Sequence, residues 1–330
     1  MDKISVTIIF NSEQVTAHNV EGWFKDLVLF KPLKMRGKII TNNKSQAYDI
    51  GRFKKKLLEE VQSEDILNLS VEDNENRFSL TRGAYDSNIS WVAFNIAYEF
   101  YEMNRALIMK HIDNFMIGHN GIVAYACSLE DEFWQDNEDI DYYIINGRSL
   151  DNIHTKSSSL FPDDVIVDTE FNPGHSHIVS GVWFGSCWRM WFGKNYYQYI
   201  PKEILLSYKS CFESIKISED VLRITLYENV WDYDNQENRT IQKEFRDQIG
   251  LDEIAHELIQ LEEEGDITNN NPSIEINSGL FEHGGVKQII YYFNPDGAIV
   301  PKSNAKEMKT YELDQLGNVI WSEGKDIAEN

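Results

Sequence analysis

Two histidines one residue apart, His175 and His177 in FNPGHSH, are the side chains here best suited to holding a metal ion. On a strand, alternate residues point to one side, and a neutral imidazole is a good ligand for zinc or iron. Asp163, Asp164, Asp168 and Glu170 lie just upstream and would add carboxylate oxygens. Such a centre would support a metal-dependent hydrolase. No HExxH and no cysteine pair accompanies the histidines, so their spacing alone does not define a site. The plainer reading is a pair of loop histidines making ordinary hydrogen bonds. The expectation is therefore no metal and no cofactor, with a hydrolase built on His175 and His177 as the alternative.

Other reaction chemistries find less support. Cys187 sits in GSCW, not in a GxSxG elbow, and reads as a buried apolar thiol. Asp232, Asp234 and Gln236 begin like a calcium loop. Glu237 then stands where the turn glycine belongs, and Lys243 where the bidentate glutamate belongs. That stretch reads instead as a turn opening a helix, with Asp234 or Asn235 as the N-cap. Neither GxGxxG nor GxxxxGK[ST] occurs. No catalytic residue is assigned.

Two segments suit binding rather than catalysis. The run EDEFWQDNEDID, 130–141, holds seven acids in twelve residues, with Phe133 and Trp134 in the middle. Its acids need solvent, so an exposed Trp134 among them would mark a contact surface. Asp131, Glu132, Trp134, Asp136, Glu138, Asp139 and Asp141 are the partner-binding candidates. The second segment, Val182 to Tyr208, crowds Trp183, Phe184, Trp188, Trp191, Phe192, Tyr196, Tyr197, Tyr199 and Tyr208 together. Aromatic residues of this kind build cores and hot spots alike, and the core is the expected place for most of them.

The elements that must carry these segments are read from periodicity. Lys3 to Phe10, 37–40, Gly118 to Ser128, Tyr142 to Ile145, Val182 to Phe192 and Val221 to Tyr227 read as strands. Glu21 to Phe30, Ile50 to Gln62, Ser90 to Asp113, Glu237 to Ile249 and Leu251 to Glu264 read as helices, the last two separated by Gly250. Residues 64–80 read as a hairpin. Ile289 to Val300 and Tyr311 to Trp321 form two further hairpin-like units turning at Gly297 and Gly317. The expected fold is α+β, a mostly antiparallel sheet with several helices and a C-terminal β-meander, because regular βαβ alternation is missing. The expected parts are 1–150, 151–268 with the aromatic block, and 269–330, with Ser157 to Ser159 as a candidate linker.

The totals bound the partners. The 330 residues carry a net charge of −23, which disfavours nucleic acid as a ligand and favours a basic protein. The excess lies beyond residue 60, since residues 1–60 hold 11 Lys and Arg against 7 Asp and Glu. No run of 18 apolar residues occurs, and the first apolar run, Val6 to Phe10, is too short for a signal segment. The three cysteines are well separated, without CxxC. A cytoplasmic protein with reduced thiols and no membrane association is expected.

In this setting Cys187 to Tyr208 (CWRMWFGKNYYQYIPKEILLSY), the acidic run 130–141 and the tail phrase YELDQLGNVIW resemble the immunity proteins of bacterial polymorphic toxin systems and, for the tail, the repeats of their toxins. The resemblance implies an acidic, non-enzymatic inhibitor that occludes a cognate toxin, and it transfers no catalytic residue. An acidic mimic of DNA is a further alternative.

Overall fold

A computed structural model describes residues 2–26, 31–62, 67–83, 86–151, 153–158, 164–263, 274–278, 281–295, 299–300, 302, 305–313 and 319–326. Along the chain, the first unit contains β1 (Lys3–Asn11), α1 (Ala17–Asp26), β2 (Lys34–Arg36), α2 (Lys38–Thr41), β3 (Gln46–Ala47), α3 (Ile50–Gln62), β4 (Leu67–Glu72), β5 (Arg77–Arg82), β6 (Ile89–Ala97), α4 (Tyr98–Gly118), β7 (Val123–Ser128), α5 (Leu129–Asp136) and α6 (Ile140–Ile145). It continues with β8 (Thr155–Ser157), β9 (Val165–Val167), β10 (Ser176–Val179), β11 (Val182–Gly185), β12 (Arg189–Phe192), α7 (Lys202–Ser207), β13 (Glu213–Lys216), β14 (Leu222–Thr225), α8 (Gln236–Ile249) and, as far as Leu258, α9 (Leu251–Glu263). The remaining strands are β15 (Ile274–Ser278), β16 (Lys287–Phe293), β17 (Glu307–Leu313) and β18 (Val319–Asp326). The class is α+β, as the missing βαβ alternation predicts.

Ten strands form one antiparallel sheet in the order β13-β14-β12-β7-β1-β6-β5-β4-β2-β3. β1 lies near its middle between β6 and β7, where Val6 faces both Phe94 and Ala126. Ile4, Val6, Ile8, Ile9 and Phe10 have no exposed surface, and Ser5 and Thr7 are buried as well, so both faces of this strand are covered. That is why it reads as a continuous apolar run rather than an alternation. α4 packs on β1, β6 and β7, and α5 on β1 and β7.

The aromatic block is core. Trp183, Phe184, Trp188, Trp191, Phe192, Tyr196 and Tyr208 are all buried. Trp188 Nε1 donates to Tyr227 O at 2.9 Å and Trp191 Nε1 to Asp113 Oδ1 at 2.6 Å. A buried indole N–H needs such a partner. Cys187 is a buried free thiol.

Several expected elements differ. The helix expected over 90–113 begins only at Tyr98, because Val92, Phe94 and Ile96 alternate inward as β6. The strand expected at 37–40 ends at Arg36, and the next residues form one helical turn. The Glu60 carboxylate, buried on α3, accepts from Lys38 N at 2.7 Å and Ile39 N at 2.6 Å, so it closes that turn's N-terminus. Tyr142 to Ile145 is helical, started by Asp139, whose Oδ1 accepts from Asp141 N at 2.9 Å. Val182 to Phe192 is two strands, β11 paired with β10 and β12 paired with β7 and β14.

The boundary expected at residue 150 runs through the ten-stranded sheet, whose strands come from both sides of it. By contacts the chain divides into 1–83 with 88–258, and 84–87 with 259–330. Ser157 ends β8, and Ser159 lies outside the described residues. In the second unit β15 to β18 form a four-stranded antiparallel meander. Its expected turn residues Gly297 and Gly317 fall outside the described residues.

Candidate functional site

His175 leads into β10 and His177 sits on it, opposite Phe184 of β11. The loop before them is fastened from two sides. Asp136 at the end of α5 accepts from Ser176 N at 2.7 Å and from Ser176 Oγ at 2.9 Å. His175 Nδ1 lies 2.6 Å from Asn172 O. A carbonyl can only accept, so the proton belongs on Nδ1 and Nε2 presents a lone pair.

The partners of these histidines come from a corner between two helices. α8 ends at Ile249, Gly250 takes a left-handed conformation with φ 73°, and α9 begins at Leu251. This corner places Arg246, in the last turn of α8, beside Asp252, in the first turn of α9. The Arg246 guanidinium is nearly inaccessible, with 2% of its side chain exposed. Its NH1 donates to His175 O at 2.5 Å, and its NH2 donates both to His175 Nε2 at 2.7 Å and to Asp252 Oδ1. His177 Nε2 lies 3.2 Å from the same Oδ1, to which a ring nitrogen can only donate.

One atom each from His175, His177 and Asp252 thus lies within 4.8 Å of the others. Burial pushes the Asp252 carboxyl up. The hydrogen bonds from His177 and Arg246, with the Arg246 charge, outweigh that and hold it well below the usual carboxylate range. His256 follows one turn after Asp252 on α9. Its ring centroid is 5.0 Å from that of His177, and its Nε2 is 3.6 Å from Glu170 Oε1. Of the upstream acids, Asp168 pairs with Lys156 at 3.1 Å and Asp163 lies outside the described residues. His175 and His177 are legible from their spacing, whereas Asp252, Arg246 and His256 join them from helices far along the chain. The spacing of Asp252 and His256 in LDEIAH, one helical turn on an expected helix, was the available signal.

The acidic segment divides by face. Asp131, Trp134 and Gln135 of α5 turn inward. Asp131 pairs with Arg239 at 2.7 Å, and burial still pushes its carboxyl up against the pull of that guanidinium. Glu132 is partly buried and accepts from Tyr125 OH at 3.1 Å. Burial raises its pKa too. Trp134 is 8% exposed, packs on Tyr143 and Val167, and carries the Arg148 guanidinium 4.1 Å from its ring centroid. Trp134 is therefore a core anchor rather than an exposed one. Asp136 is spent on Ser176.

Glu138, Asp139 and Asp141 remain at the surface. Beside them stand apolar side chains outside the partner-binding candidates read from the sequence. Phe133, Tyr142, Ile144 and Ile145 are exposed, Ile145 by 80%, and the rings of Phe133 and Tyr142 are 5.8 Å apart. Among the described residues, no helix is long and apolar enough to cross a membrane.

No family model matches the chain, and no curated protein matches it. Among solved structures, a Pseudomonas aeruginosa T6SS protein is similar at 10% identity and a TM-score of 0.45, covering 76% of this chain and 73% of that one. A likeness of that size carries no argument about activity.

Proposed function

We propose that the protein is a non-enzymatic binding protein of the immunity kind, which takes a basic protein partner, a toxin, onto the surface around α6 and blocks it by occlusion. The observation that supports this reading is the exposure of Phe133, Tyr142, Ile144 and Ile145 within a frame of Glu138, Asp139 and Asp141. Apolar residues on an unpaired helix face cost solubility unless something covers them. The acidic frame and the net charge of −23 select the sign of what covers them. Asp131, Glu132 and Trp134 serve this surface from beneath, by holding α5 in place, and the contact itself falls to the outward residues.

The test is affinity capture from the native cell with the wild-type chain and with Ile145→Asp. The reading expects one stoichiometric basic protein, held by the wild type and lost by the variant, whose association slows as salt rises. Equal capture of that protein by both baits sinks this surface.

A further inference from the structure

The geometry points to a transition-metal site of the zinc class formed by His175 Nε2, His177 Nε2 and Asp252 Oδ1, with His256 as the fourth ligand. It does not depend on the partner surface of α6. Three features carry it. The donor atoms of the first three residues already lie within 4.8 Å of one another. The Nδ1 proton of His175 is committed to Asn172 O, which orients the ring and leaves the lone pair on Nε2, as ligating histidines are commonly arranged. The two pairs follow the two periods that put side chains together: His-x-His entering a strand, and Asp-x-x-x-His along one face of a helix.

His256 completes the set by a change of side-chain rotamer. It lies one turn from Asp252, its ring is 5.0 Å from that of His177, and its side chain is half exposed, so it is free to swing from Glu170. Three imidazoles and one carboxylate match a borderline ion that accepts tetrahedral nitrogen and oxygen donors. They do not match magnesium or calcium, which take oxygen ligands.

Arg246 is the competitor. Its NH2 donates to two of the proposed ligand atoms, so a positive group already holds the place between them. Metal entry requires that NH2 to withdraw, and the proton that His177 Nε2 gives to Asp252 Oδ1 to move to Nδ1 or be released to solvent. The guanidinium is a rigid plane, so its contacts with His175 O and Asp252 Oδ2 give way with that NH2. The Asp136 carboxylate, fastened to Ser176 between the two histidines, offsets part of the added charge. Metal and guanidinium thus exchange at one position, and bound metal ties β10 to the start of α9.

The experiment is titration of the chelator-treated full chain with Co²⁺, followed by absorption in the visible and by calorimetry. The inference expects one equivalent bound, with the intense d–d bands of a tetrahedral site. It expects affinity to fall at least about tenfold in His177→Ala and in Asp252→Asn, with less intense bands in His256→Ala. Arg246→Gln is expected to bind Co²⁺ more tightly than wild type, an effect that a merely structural arginine would not produce. No saturable binding by wild type overturns the site. Binding unchanged in His177→Ala also overturns it. So does binding seen only in Arg246→Gln, because the native chain would then use the arginine as its permanent cation. His177→Ala alters a side chain that is 11% exposed, and a retained far-UV spectrum separates loss of binding from loss of fold.

Discussion

Arg246 and Asp252 meet across the left-handed corner at Gly250, so that the last turn of one helix and the first turn of the next are joined by a charge pair. The same guanidinium reaches His175, 71 residues earlier, and so links this helical corner to the strand pair β10 and β11.

Removing the arginine should be costly. Arg246→Ala takes the charge partner from the Asp252 carboxylate, which keeps only the bond from His177, and the donor from the buried His175 carbonyl. Loss of one partner of a fully buried ion pair costs about 3 kcal/mol or more, and the partial exposure of Asp252 brings the expected loss to roughly 1–3 kcal/mol. Urea unfolding of the metal-free chain should show that loss as a lower midpoint. Arg246→Lys should recover only part of it, because an ammonium cannot span His175 O, His175 Nε2 and Asp252 together.

The corner itself is conformational. Gly250 has φ 73°, and the nearest atom to an added Cβ would be Glu253 Oε2 at 3.7 Å, so space is not the obstacle. Gly250→Ala should cost about 1 kcal/mol through the left-handed backbone alone. Gly250→Asn should cost less, since asparagine tolerates that region. Chemical denaturation of both variants reads the difference.

Trp134 and Ile145 should separate stability from binding. Trp134→Ala empties the cluster with Tyr143 and Val167 and should cost about 3 kcal/mol or more. Ile145→Asp should leave the midpoint within about 0.5 kcal/mol of wild type, as surface changes usually do. It should nonetheless abolish capture of the basic partner. A stability loss in Ile145→Asp equal to that of Trp134→Ala would place Ile145 in the core.

Glu132 should give a pH dependence of unusual sign. Burial pushes its carboxyl up, outweighing the hydrogen bonds from Ser5 and Tyr125. The native state therefore holds this proton more tightly than the unfolded chain, whose glutamates titrate near about 4.3. The carboxylate's cost is present at neutral pH and is relieved as pH falls through the raised native value toward the unfolded one. Glu132→Gln should raise the unfolding midpoint at pH 7.5, and its advantage over wild type should vanish by pH 4.5. An advantage that grows on acidification would show that the carboxylate is stabilised, not penalised, in the fold.

Local signals were enough for some elements. Ile50 to Gln62 is a helix at the bounds its periodicity marks, with Phe53, Leu57 and Val61 turned inward. The hairpin of β4 and β5, the run of β1, and the two helices meeting at Gly250 are equally legible, because each is set by a short-range period or by one permissive glycine. Asn235 was readable as the cap of α8 for the same reason.

The sequence by itself determined an acidic α+β chain with an aromatic core, two histidines in register and a helix carrying Asp252 and His256. Tertiary structure alone decided where β6 yields to α4, and that Val182 to Phe192 splits between two sheets. It also decided that Asp131 and Trp134 face inward, and that His177 meets a carboxylate 75 residues away. Pairing across such separations depends on which surfaces the folded sheet brings together, and no period within one segment encodes its neighbours.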